Sequence, residues 1–477
     1  MPIADHLHRA ARRVSPLLAV LGLAACAPGS STDADLRADF DASVGGAGGE
    51  AGAGGGGAGG EAGAGGEADP GGAPAPDARV DTPDAAATPD LDASAVVDGG
   101  GAPPDAEVDT PDAADAPLCP ERPLIPADAA RVVLVGHPFT DAPGVAGTTI
   151  HGLTLQPNGR LDDDGIRLDV GVKAARIAFA PHGLLAFVLG EDGTLVSVFV
   201  AAAEGMAVVD SVVLPGADYG DLHVSADGAT VWVTGSNVNE TSGISTIHVD
   251  CEGLLTMDDA AYFPLRLAES TAFLPGDTRA LVLGGQTVFD PVDPDDVRLI
   301  ERQGGGFRQV GGFDLFHDFV GAGRIAVSPD GRLGALPNNS AFSEEGGQMM
   351  LVAIDGDAVR EVERVTDVPD PSEALFSLDG QTLVLTQVEP GRLNAYRIED
   401  GAITETTVLT GIGLADQIAR VERGPLADTL LIPSIDPNGG PNITQVRITG
   451  PGQLQDLGET QLGAGIENIA TPIAVQP

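Results

Sequence analysis

Five acidic residues stand just ahead of short apolar runs spread along the chain: Asp221, Glu269, Glu373, Asp416 and Glu467. If the runs are strands around one axis, these carboxylates ring one opening. They could then bind a cation or cationic ligand. The plainer alternative is the general acidity of the chain, with 70 Asp and Glu against 25 Lys and Arg. Two denser clusters, Asp162-Asp163-Asp164-Gly165 and the Asp290–Asp296 segment with Asp293, Asp295 and Asp296, offer the hard oxygen donors that calcium prefers. Neither has EF-hand spacing, so calcium is weighed there against a solvated acidic loop. No other cofactor is called for.

Other constellations are thin. His137, His151, His182, His223, His248 and His317 are scattered without zinc-ligand spacing, so a zinc site is not expected. His223 lies inside an expected inner strand and reads as packing or channel lining. There is no Gly-x-Ser-x-Gly elbow and no phosphate-binding loop. Cys119 and Cys251 are a candidate disulfide, provided the chain is exported; two free thiols are the alternative.

The first 26 residues address export. Arg9, Arg12 and Arg13 precede an apolar stretch, Val14 to Leu23, that is too short to span a bilayer. It ends in Leu23-Ala24-Ala25-Cys26, which resembles a bacterial lipobox. The resemblance implies a signal peptide over 1–25 and lipidation of Cys26; an ordinary signal peptide is the alternative. Ala27 and Pro28 follow, where Asp would mark inner-membrane retention, so the outer membrane is expected, on either side. Several acyl chains anchor stably, at about 0.8 kcal/mol per buried CH₂.

Residues 26–118 form an acidic Gly/Ala/Pro/Asp tract in which Val80-Asp81-Thr82-Pro83-Asp84-Ala85-Ala86 recurs as Val108-Asp109-Thr110-Pro111-Asp112-Ala113-Ala114. Large apolar residues are too sparse to offset chain entropy, so a disordered stalk is expected, roughly 50–60 Å in r.m.s. span. The formal net charge of −45 repels phosphate backbones and anionic headgroups. Nucleic acid is therefore excluded as a partner, and membrane attachment has to come from the lipid anchor.

From residue 119 the pattern changes to β-rich units. Ile177-Ala178-Phe179-Ala180-Pro181-His182-Gly183, Leu222-His223-Val224-Ser225-Ala226-Asp227-Gly228 and Ile325-Ala326-Val327-Ser328-Pro329-Asp330-Gly331 are copies of one strand–turn unit, each followed by a second apolar strand. Further copies start at Thr271, Ala374 and Ile418, with turns roughly 44–54 residues apart, the spacing of four-stranded propeller blades. In the unit after Leu222, the outer strands are expected at Ile244–Val249 and Ala260–Leu265. A seventh copy is split: Ile473-Ala474-Val475 matches an inner strand, and residues 131–170 supply its outer strands. An all-β, seven-bladed propeller over 119–477, closed by its C-terminal strand, is expected.

The Ser-Pro-Asp-Gly-type turn before an apolar strand resembles the YVTN-type repeats of bacterial surface propellers and of lactonase-like propellers. That resemblance implies the fold. For function, a non-enzymatic binding or scaffold module for an envelope or surface protein is the leading expectation, as a monomer. The alternative implied by the resemblance is a metal-dependent lactonase-like hydrolase or lyase with its site at the channel mouth.

Overall fold

A computed structural model describes residues 124–477 except 138–146, 202–204, 216–218, 236–241, 285–294, 317–319, 340–345, 389–390, 414–415, 436–440 and 463–470. The expected signal peptide and stalk, with Cys26 and Cys119, lie outside the described residues, as do Asp293, His317 and Glu467.

The strands run in chain order. Blade I holds β1 (Arg131–Gly136), β2 (Thr149–Leu155) and β3 (Leu161–Asp169). Blade II holds β4 (Ala174–Phe179), β5 (Leu185–Gly190), β6 (Thr194–Ala201) and β7 (Gly205–Val213). Blade III holds β8 (Tyr219–Val224), β9 (Thr230–Gly235), β10 (Gly243–Val249), β11 (Leu255–Met257) and β12 (Phe263–Pro264). Blade IV holds β13 (Ala268–Phe273), β14 (Arg279–Gly284), β15 (Val297–Gln303) and β16 (Gly306–Phe313). Blade V holds β17 (Ala326–Val327), β18 (Leu333–Asn338), β19 (Gln348–Asp355) and β20 (Ala358–Val365). Blade VI holds β21 (Pro371–Phe376), β22 (Thr382–Gln387), β23 (Arg392–Glu399) and β24 (Ala402–Thr410). Blade VII holds β25 (Ala419–Arg420), β26 (Thr429–Ile435), β27 (Pro441–Gly450) and β28 (Gln453–Gln461).

The last strand, β29 (Ile473–Val475), returns to blade I as its inner strand and pairs antiparallel with β1, Leu134 opposite Ala474. Seven antiparallel sheets result, and β29 also touches β25 of blade VII and β4 of blade II, so the ring is closed. Gln476 fastens the closure. Its Oε1 accepts from Val132 N at 2.9 Å, and its Nε2 donates to Gly183 O in blade II at 2.6 Å.

The middle strands are nearly continuous apolar runs because both faces of each blade are covered. In β1, Val133 and Val135 pack toward blade VII while Val132 and Leu134 pack toward blade II. In β14, Leu281 and Leu283 face blade V while Ala280 and Val282 face blade III. Separate apolar clusters fill the seams between adjacent blades around the whole ring.

The repeated turn has a physical logic. Ser328 Oγ donates to Asp330 Oδ1 at 2.6 Å and accepts from Leu333 N, while Asp330 accepts from Arg332 N; Ser225 and Asp227, and Ser377 and Asp379, repeat the arrangement. Gly331 supplies the positive φ of 72° that the turn needs, and a Cβ there would lie 3.0 Å from Pro275 in the neighbouring blade's turn. The turns thus tile against one another.

Blade III departs from the expected outer strand at Ala260–Leu265. Asp258 accepts from Ala260 N and Ala261 N, which winds Asp259–Ala261 into a 3-10 turn and leaves two short strands, β11 and β12, on either side.

Candidate functional site

The inner strands line the propeller axis, and one position on them carries the chemistry. Aligned by strand, Arg176, Asp221, Ser270, Arg324 and Glu373 are equivalent residues of blades II to VI. In blades II, III, IV and VI the pairing register slips just there, between Ala174 and Arg176, Tyr219 and Asp221, Ala268 and Ser270, and Pro371 and Ala374. A bulge at the start of an inner strand re-aims the side chain that follows it.

Arg324 is the hub. Its Nε donates to Asp221 Oδ1 at 2.9 Å and its Nη1 to Glu373 Oε1 at 3.0 Å. Blade VI adjoins blade V, but blade III lies beyond blade IV, so the contact to Asp221 bypasses a whole blade. Asp221 Oδ2 accepts from Ser270 Oγ at 2.6 Å and from Thr271 N at 3.0 Å, and Ser270 Oγ accepts in turn from Ile325 N. Glu373 Oε2 accepts from Ile418 N of the segment leading into β25 at 3.0 Å. Arg176 approaches Asp221, Nε to Oδ1 3.9 Å. The network therefore joins six blades, II through VII.

The electrostatics follow from depth. Arg324 keeps 26% of its side chain exposed. Burial opposes its charge, but Glu373 and Asp221 outweigh burial and raise its pKa, so it stays cationic. Burial pushes the Glu373 carboxyl up against the lowering effect of Arg324 and Arg176.

Glu269 sits one residue before Ser270 and accepts from Ala322 N at 3.1 Å. Burial pushes its carboxyl up to about 7, only partly countered by that hydrogen bond. It is thus poised to gain or lose a proton near neutrality.

Of the five acids expected at the mouth, the structure brings Asp221 and Glu373 together through Arg324. Glu269 and Asp416 clamp neighbouring blades, Asp416 by accepting from Ser372 Oγ at 2.6 Å. The wall is of mixed charge rather than an acidic ring. Arg176 and Arg324 do not stand out by residue type alone; with the inner strands aligned, they fall in the same column as Asp221 and Glu373.

The acidic run at Asp162–Asp164 does not converge on one point. Asp162 accepts from Gln156 and Arg160, Asp164 from Thr154, and Asp163 pairs with His151 at 2.8 Å. Asp296 accepts from Leu315 N and Phe316 N, capping a loop in blade IV beside Asp295. Among the described residues, no three His, Cys, Asp or Glu gather as a metal-ligand set.

His223 is a packing residue: its ring stacks on Phe273 (4.2 Å between centroids) and Trp232 (5.8 Å), and its Nε2 meets Asp277 at 3.0 Å. His182 Nδ1 accepts from Leu184 N inside a turn, and His248 Nε2 lies 3.4 Å from Asp258. His137 and His151 are fully buried, and burial drives the His137 pKa down to about 3. Cys251 is in a disulfide whose partner lies outside the described residues.

No family model matches the sequence. No curated protein matches it either. Solved structures do resemble it: a candidate 6-phosphogluconolactonase from Bacteroides uniformis (TM-score 0.55, 13% identity, 72% of this chain and 99% of the other) is one. A candidate 6-phosphogluconolactonase from Bacteroides fragilis has a TM-score of 0.55 at 13% identity, over 74% of this chain and 99% of its own. The periplasmic gluconolactonase of Pseudomonas aeruginosa has a TM-score of 0.54 at 16% identity, over 73% of this chain and all of its own. The chain is thus a seven-bladed β-propeller whose structural neighbours include lactonase-type propellers. At these identities the likeness defines the fold alone.

Proposed function

We propose that this protein is an exported, lipid-anchored binding module. Cys26 carries the anchor, residues 26–118 act as a stalk, and the propeller presents its channel mouth to an envelope or surface partner. The observation that carries this reading is the use made of the mouth's charged groups. Asp221, Glu373 and Arg324 bond mainly to one another and to backbone N–H groups of adjacent blades. Such a network makes a rigid, mixed-charge platform. In the same reading, Cys251 pairs with Cys119 and staples the start of the domain to blade III.

The test is crosslinking from native envelopes with the full chain as bait and quantitative mass spectrometry as readout. One or two stoichiometric partners that a Glu269→Arg variant no longer captures support the reading. Recovery of the same proteins by bait and variant alike, at background yield, contradicts it.

A second reading rests on Glu269. A carboxyl with a pKa about 7 at a channel mouth is suited to general acid–base work, and lactonase-type propellers are among the structural neighbours. Hydrolysis of a lactone by water activated at Glu269 is the reaction that arrangement would support. Rescue of a lost lactonase rate by Glu269→Asp would favour this reading over the first.

A further inference from the structure

His137 and His151 stand apart from everything above. They are 1% and 0% exposed, and their rings lie 5.9 Å apart, centroid to centroid, at 41°. Both ring nitrogens of His137 and Nδ1 of His151 have no hydrogen-bond partner. Leaving buried polar atoms unbonded costs about 1–3 kcal/mol each, so three in one place call for an occupant.

The local fold explains how they meet. In the β1–β2 register Val135 faces His151, so His137, one step past the end of β1, is the diagonal neighbour of His151 on the same face. The acidic run then supplies the third group. Between Gly152 opposite Ile166 and Thr154 opposite Asp162, β3 holds three residues against one in β2. Gly165, at a φ of 70°, donates its N–H to Asp163 Oδ1 within this bulge. The bulge turns Asp163 onto His151, Oδ1 to Nε2 2.8 Å.

The geometry points to a binding site for a borderline divalent transition metal, of the zinc, copper or nickel class, held by the imidazoles of His137 and His151 with Asp163 orienting His151. Imidazole is the ligand these ions favour. A metal–nitrogen bond of about 2.0–2.1 Å puts each ring centroid about 3.2 Å from the ion, so two rings on one ion lie at most about 6.4 Å apart. The observed separation fits a bent arrangement. With Asp163 accepting the Nε2 proton, Nδ1 of His151 is the free lone pair, the carboxylate–histidine–metal relay that fixes a tautomer. Arg167, opposite His151 in the β2–β3 register, is the cation that Asp163 has to offset. The sequence spacing hid the pair because a hairpin, not a helix, brings the two histidines together. A metal there would pin β1, β2 and the bulge of β3 in the blade where the ring closes.

The test uses the full chain, titrated with Cu²⁺ and read by electron paramagnetic resonance for nitrogen hyperfine coupling, with Zn²⁺ competition giving affinity. The expected result is one equivalent with two imidazole nitrogens. A His137→Phe/His151→Phe double variant should lose this signal while keeping a native circular dichroism spectrum, which subtracts ions held by the acidic tract. Asp163→Asn should weaken binding by about 10–100-fold while keeping the two-nitrogen signature. The same signal in wild type and double variant overturns the assignment. Should the double variant not fold, Asp163→Asn decides alone: unchanged affinity overturns it.

Discussion

Replacing Arg324 with Met leaves two carboxylates deep in the channel wall without their shared cation. The geometry sets the size of the effect. Two charge-assisted hydrogen bonds, at 2.9 and 3.0 Å, are lost at once, and the Asp221 and Glu373 side chains are only 7% and 8% exposed. Removing one partner of such a buried arrangement costs about 3–5 kcal/mol, mostly through the uncompensated charge left behind. Urea unfolding at pH 7 reads this through the fluorescence of Trp232, the single tryptophan, which is buried in the seam between blades III and IV and reports unfolding of the ring. A compensated variant, Arg324→Met with Asp221→Asn and Glu373→Gln, removes the stranded charges and should recover most of the loss. A cost below about 1 kcal/mol for Arg324→Met is the behaviour of a solvated surface pair and would show that Arg324 does not hold the two carboxylates.

Three further outcomes are expected. Glu269 has a folded pKa of about 7 against an ordinary 4.5, so its contribution favours the folded state below about pH 4.5 and is lost as pH rises through about 7. Glu269→Gln should therefore be more stable than wild type at pH 8 by on the order of 3 kcal/mol, with the gap closing toward pH 5, in paired urea titrations. Gly220→Ala would put a Cβ 1.8 Å from the Glu269 carbonyl oxygen, so blades III and IV have to separate; a loss of about 1–3 kcal/mol or more should appear in thermal unfolding. Gln476→Ala strands Val132 N and Gly183 O and should cost at least about 2 kcal/mol in denaturant, with hydrogen exchange speeding up first in blade I.

The ring was legible in the sequence because its units repeat. Ser-x-Asp-Gly turns recur at the hairpins joining the first two strands of a blade, the apolar runs mark strands covered on both faces, and the match of Ile473-Ala474-Val475 to an inner strand places the closing blade. The outer edge of blade III was misread because Ala260–Leu265 is apolar enough for a strand, while the Asp258 side chain caps a 3-10 turn within it. The site was half legible. Asp221 and Glu373 stood out as acids ahead of apolar strands, but their partner Arg324 belongs to a different blade about 50–100 residues away in sequence, and only the closure of the ring brings it to them. The bulges that aim these side chains leave no compositional mark. Asp162–Asp164 looked like a cation cluster, but alternation along β3 and the bulge at Gly165 send the three carboxylates to different partners.

In the binding-module reading, the charged groups at the mouth hold the ring and its ligand rather than carry out turnover. A direct measurement is the hydrolysis rate of a panel of sugar lactones by the full chain at pH 7, with and without added divalent metal, against Glu269→Gln. Rates equal to the uncatalysed reaction are expected for both proteins. A wild-type rate well above background that Glu269→Gln abolishes, with the variant still folded, would contradict it.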